Sequence, residues 1–144
     1  SKAREAAKAM GMTDTNALRV GLIGTAEITV EYEHTAEHVG SGCEAVLATP
    51  VMIALMESAA VDCTEHLLDA GYTSLGIRIA VDHVAPTPIG RTVTATAELV
   101  EIKGRRLFFR VKAEDGVRPI GSGEHVRATV AVDEFRKRLV ESAS

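Results

Sequence analysis

The stretch Thr49-Pro50-Val51-Met52-Ile53-Ala54-Leu55-Met56-Glu57-Ser58-Ala59-Ala60-Val61 decides how this chain is read. Thr is a favoured N-cap, and Pro fits the first helical turn because its missing N–H would be unpaired there anyway. The run predicts a helix of about 20 residues that Gly71 stops, roughly 30 Å long at 1.5 Å per residue. Its first half is apolar on every face, which marks a buried helix, and only Asp62, Glu65, His66 and Asp69 make the second half polar. Glu57 is the lone charge in the apolar half. A carboxylate is rarely left in such a place without a partner or a task.

Outward from the helix, the hydrophobic period changes. Ala26, Ile28, Val30 and Tyr32 alternate with Glu27, Thr29, Glu31 and Glu33, predicting a half-buried strand over 26–33. Residues 34–48 have no regular period and read as a loop positioned to lie over a site. After the helix, strands are predicted over 75–85, 91–102, 105–114 and 117–132, the last bent at Gly121 and Gly123. Lys103-Gly104 and Asp115-Gly116 fall at two junctions, where Asp-Gly favours a tight hairpin. One strand, one long helix and an antiparallel meander make an α+β domain, with the sheet wrapped around one central helix. We expect a leader over 1–17, flexible or a short helix, and one domain over 18–144. An edge strand left unpaired points to dimerisation.

Composition excludes several functions. The net charge of −4 with scattered Lys and Arg offers no basic face for nucleic acid, and three Phe, two Tyr and no Trp offer no base-stacking platform. There is no long apolar span for a membrane. Cys43 and Cys63 have no metal-type spacing, and His34, His38, His66 and His125 form no ligand pattern, so no metal is expected. A reducing, cytoplasmic setting fits these cysteines. Gly121-Ser122-Gly123 lacks the strand-to-helix context of a phosphate cradle and reads as a bulge or a close approach to another strand.

The chemistry gathers on three residues. Alternation along Ile77, Ile79 and Val81 places His83 on the same, inward face. A buried imidazole facing a helix with a buried carboxylate is an acid–base pair in outline, and Thr49 adds a hydroxyl at a helix N-terminus, which favours developing negative charge. Hydroxyl, carboxylate and imidazole are the inventory of acyl transfer. Each also has a plainer reading: Thr49 as an N-cap, His83 as a satisfied core histidine, Glu57 paired structurally with Arg78 or Arg127. Thr49 and Glu57 lie roughly 12 Å apart along one helix. Either Thr49 folds back, or two protomers share the site, and the second is the arrangement we favour.

Ala48-Thr49-Pro50 through Leu55-Met56-Glu57, Ser74-Leu75-Gly76, His83 with Ala85-Pro86-Thr87-Pro88, Gly104-Arg105-Arg106-Leu107, Asp115-Gly116 and Ile120-Gly121-Ser122-Gly123-Glu124-His125 resemble the fluoroacetyl-coenzyme A thioesterase family of hotdog-fold proteins. The resemblance runs from about Val20 to Phe135. It implies a hotdog fold, a homodimer or dimer of dimers, and hydrolysis of a small acyl-coenzyme A thioester with no cofactor beyond the coenzyme A of the substrate. It further implies Thr49, Glu57 and His83 as the catalytic set, with Gly76 at the acyl pocket, Arg127 near the acyl end and Cys43 among the substrate-binding residues. The chain departs from the family in having no aromatic residue between Tyr32 and Tyr72, so the expectation is a thioesterase without fluoroacetyl specificity. The rival readings are a non-catalytic acyl-ligand binding protein and, ranked below it, an acyl-coenzyme A hydratase. The hydratase reading expects an Asp with a His five residues later before the helix, where this chain has Asp14 and Arg19.

Overall fold

The computed structural model describes residues 17–143. Five strands, β1 (Ile23–Thr29), β2 (Tyr72–His83), β3 (Thr92–Lys103), β4 (Arg106–Glu114) and β5 (Pro119–Ala131), form one antiparallel sheet in the order β1-β3-β4-β5-β2. Three α-helices accompany them: α1 (Ala36–Val39), α2 (Thr49–Thr64) and α3 (Val132–Ala143). The expected leader lies outside the described residues except at Ala17.

Helix α2 lies on the sheet, mostly against β1 and β3. Met52, Leu55, Met56, Ala59, Ala60 and Cys63 are buried on its inner side. Below them β3 alternates strictly, presenting Val93, Ala95, Ala97 and Leu99 to the core, and β4 presents Leu107, Phe109, Val111 and Ala113. The alanines of β3 and Gly24 of β1 let the helix sit close. A Cβ on Gly24 would lie 2.2 Å from the Ala59 carbonyl oxygen, a contact no side chain can make. The Thr25 amide donates to Asp62 across the same seam at 2.9 Å.

Several boundaries differ from expectation, each for a local reason. The first strand runs 23–29 rather than 26–33, because a 3₁₀ turn at Tyr32–His34 ends the alternation and leaves Tyr32 exposed. Helix α2 stops at Thr64, whose buried hydroxyl donates back to the Ala60 carbonyl at 3.3 Å. A 3₁₀ turn, Glu65–Leu67, follows and directs Leu67 into the interior. The final strand ends at Ala131 and gives way to α3, an amphipathic helix with no buried residue that the strand reading did not anticipate. Gly121 and Gly123 are close approaches to β2 rather than bends. A Cβ on Gly123 would lie 2.1 Å from the Ala80 carbonyl oxygen, and one on Gly121 2.9 Å from the Asp82 carbonyl oxygen and 2.6 Å from Sδ of Met52 on α2.

Strand β2 is one of the two edges of the described sheet, the other being β1, and it holds the one irregularity of its ladder. Register with β5 shifts between Gly76 and Arg78, so Ile77 is the extra residue of a bulge. Leu75, Ile77 and Ile79 remain 37%, 50% and 37% exposed. The outer side of α2 also stays open at Ala54 and Ser58. The helix predicted to be buried all round is covered on only part of its surface within one chain.

Candidate active site

Thr49 is not an N-cap. Ala48 holds that position with extended backbone, Thr49 opens the helix and Pro50 follows. This frees the Thr49 hydroxyl, and Oγ1 lies 2.8 Å from His83 Nδ1 in a hydrogen bond. His83 terminates β2, and its Nε2 is buried without a hydrogen-bond partner among the described residues. Burial lowers its pKa from the ordinary 6.5, with the Ala85 main chain opposing in part, so the neutral imidazole is favoured. A cavity of about 280 Å³ opens beside the pair, lined by Ala36, Ser41, Val46, Leu47 and Ala85 among others.

The expected loop over residues 34–48 forms that cavity's roof. It contains α1, capped by Thr35 Oγ1, which accepts from the His38 amide at 3.2 Å, and ended by Gly40 at φ 88°. Bridges Thr35 to Leu47 and Val46 to Pro88 pin the loop down. Cys43 is exposed on this loop and is not among the residues that line the cavity.

Glu57 belongs to a second cluster. Its side chain is 42% exposed, not fully buried as the sequence pattern predicts, because among the described residues no element covers this side of α2. Its Oε2 lies 3.7 Å from Nη1 of Arg127, whose side chain is only 7% exposed. Arg127 Nε donates to Ser74 Oγ at 2.8 Å and Nη2 to the Ser74 carbonyl at 2.9 Å. Ser74 Oγ donates in turn to Glu65 at 3.0 Å, and Thr73 donates to the other Glu65 oxygen. Gly76 faces the same spot: a Cβ there would lie 2.7 Å from Glu57 Oε2. Glu57, Gly76, Ile77, Arg78, Ile79 and His125 line a separate cavity of about 220 Å³.

Within one chain, then, Thr49 joins His83, and Glu57 joins Arg127 and Gly76. The two groups line different cavities. Ser74, Glu65 and His125 were missed by sequence reasoning. Ser74 and Glu65 are ordinary polar residues at element ends, and His125 carries no spacing signal. Its alternation with Arg127 on β5 is the one pattern that links it to the site. Among the described residues no group of His, Cys, Asp and Glu could hold a metal ion. No described helix is long and apolar enough to cross a membrane.

One antiparallel sheet packed around a long central helix is the architecture of hotdog thioesterases. The family model of fluoroacetyl-CoA-specific thioesterases matches residues 30–133, and the chain belongs to that family. It is 49% identical to the fluoroacetyl-CoA thioesterase of Streptantibioticus cattleyicolor over 94 residues, 65% of this chain and 68% of that one. A solved structure of the fluoroacetyl-CoA thioesterase FlK superposes with a TM-score of 0.81 at 41% identity, covering 86% of this chain and 96% of that one. A hot-dog-like protein from Thermanaerovibrio acidaminovorans gives a TM-score of 0.83 at 27% identity, covering 92% and 98%.

Proposed function

We propose that this chain, an acyl-coenzyme A thioester hydrolase by its family, works with Thr49, His83 and Glu57 in a site shared by two protomers of a homodimer. The observation that carries the proposal is the layout of β2. Gly76, beside Glu57, lies in the first half of β2, and His83, bonded to Thr49, ends the same strand, roughly 23 Å away at about 3.3 Å per residue. Antiparallel pairing of two β2 edges centred on Ile79 and Ala80 sets Gly76 of one protomer opposite His83 of the other. Glu57 then faces the Thr49–His83 pair across the interface. The same pairing covers exposed Leu75, Ile77 and Ile79 and satisfies the free edge.

The chemistry follows from these positions. The Glu57 carboxylate takes a proton from water as the water oxygen adds to the thioester carbonyl carbon, and negative charge develops on the carbonyl oxygen near the N-terminus of α2. Collapse breaks the C–S bond, and the coenzyme A thiolate leaves and is protonated, giving free acid and coenzyme A. Thr49 orients the carbonyl or the water, and His83, favoured neutral by burial, accepts or returns the hydroxyl proton. No Phe, Tyr or Trp lines the Thr49 cavity, so nothing there builds an aromatic wall selective for a fluorinated acyl group.

Steady-state release of free thiol from a panel of acyl-coenzyme A esters, from acetyl and fluoroacetyl to medium-chain and aromatic, tests the reading. Turnover on small esters that falls by roughly 10²-fold or more in Glu57→Gln is expected. Binding of an ester with no turnover on any of the panel would replace the hydrolase by a binding protein.

A further inference from the structure

We infer that His125 is a positioning residue that aims Arg127 at Glu57. The inference rests on Glu57 being the catalytic carboxylate.

The hydrogen-bond partners of His125 determine its state. Nδ1 lies 2.8 Å from the Arg78 carbonyl oxygen, which can only accept, so Nδ1 carries the proton. Nε2 lies 3.2 Å from Arg127 Nη1, and a guanidinium can only donate, so Nε2 is the acceptor. His125 is therefore a neutral imidazole of defined tautomer, 1% exposed and stacked on Phe109 with ring centroids 6.1 Å apart. Burial also lowers its pKa from the ordinary value, as neutrality requires.

The same Nη1 that donates to His125 is the guanidinium nitrogen paired with Glu57 Oε2, at 3.7 Å. Ser74 holds the other two guanidinium nitrogens. His125 thus fixes the one edge of Arg127 that Ser74 leaves free, and that edge meets the carboxylate. The Arg78 carbonyl it grips follows the β2 bulge, so His125 couples the bulge, the guanidinium and Glu57 in one chain of contacts. Gly76 completes the fit: a Cβ there would lie 2.7 Å from Glu57 Oε2 and 3.1 Å from His125 Cε1.

Two substitutions separate positioning from plain structure. Asn at 125 keeps a donor near the Nδ1 position for the Arg78 carbonyl and loses the acceptor for Arg127. Gln keeps an acceptor near the Nε2 position and loses the backbone bond. Positioning predicts that His125→Asn lowers kcat roughly 10- to 100-fold with KM within about threefold of the parent, and that His125→Gln recovers a large part of the loss. A purely structural role predicts the reverse order, with activity following Tm in both variants, and that outcome would overturn the inference. If neither variant folds, ¹⁵N NMR of the unsubstituted protein decides: an imidazolium or an Nε2–H tautomer at His125 near neutral pH contradicts it, and a neutral Nδ1–H tautomer supports it. Full activity in Glu57→Gln would remove the carboxylate reading itself. A dead Glu57→Gln with the reverse Asn and Gln order would remove only the inference about His125.

Discussion

Thr49 Oγ1 and His83 Nδ1 are 34 residues apart in the chain and 2.8 Å apart in space. The contact exists because Ala48, not Thr49, caps α2, which leaves the hydroxyl free to face the end of β2. Thr49→Val keeps the side-chain shape and deletes the hydroxyl. Thiol-release kinetics should show kcat reduced by roughly 10²-fold, with Thr49→Ser recovering much of it. Because no helix cap is lost, Tm should barely move, whereas loss of a true cap costs about 1 kcal/mol.

Gly76→Ala tests the room left for Glu57. The new methyl would meet the far end of a flexible carboxylate 2.7 Å away, so the side chain swings aside at little cost in stability. Displacing a reacting group by about 1 Å can cost on the order of 10²-fold in rate. We expect a small fall in Tm, because the buried His125 ring 3.1 Å from the new methyl must also give slightly, and a large fall in kcat, read by thermal denaturation and steady-state kinetics on the same preparation.

Acid should destabilise the fold in two windows. His83 and His125 are held below the ordinary 6.5 mainly by burial, so the unfolded chain takes up protons there that the folded chain refuses. Their contribution is complete above 6.5 and declines as pH falls below it. Asp115 is pushed up by burial but more strongly down by the Arg118 and Val117 amides, the Thr87 hydroxyl and Arg91. Its contribution is complete above the ordinary 3.8 and is lost as pH falls through the lowered value. Asp115→Asn should cost about 2–3 kcal/mol at pH 7 and flatten the lower window, measured by urea denaturation across pH.

Ile79→Lys places a charge on the β2 edge, where Ile79 is 37% exposed in one chain. Light scattering should show a monomer, and hydrolysis should fall with the dimer. A dimer of full activity would place the interface elsewhere.

The helix and the meander were legible because their periods are clean and because Pro50, Gly104 and Gly116 punctuate them. Gly104 and Gly116 adopt φ of +57° and +84° at the two hairpins. The end of α2 was not legible. Thr64 to Leu68 is no poorer a helix sequence than what precedes it, and the turn arises from Glu65 binding Thr73 and Ser74, partners that follow it in the chain. At the site, Thr49, Glu57 and His83 stood out as chemistry in apolar surroundings. The full burial expected for Glu57 fails because a run without polar residues does not say whether its cover comes from the same chain. Arg127 was legible as one of two arginines able to pair with Glu57, but His125 drew no attention, since its link to that pair rests on a bulge at Ile77 that sequence does not announce.

Mixing two impaired variants tests the shared site most directly. Thr49→Ala and Glu57→Gln proteins, each with turnover lowered by roughly 10²-fold or more, are unfolded together and refolded as heterodimers. If Glu57 of one protomer serves Thr49 and His83 of the other, each heterodimer holds one intact site, and activity should return to roughly a quarter of the parent's under random pairing. No recovery in a mixture verified to contain heterodimers would place all three residues in one chain's site and contradict the account.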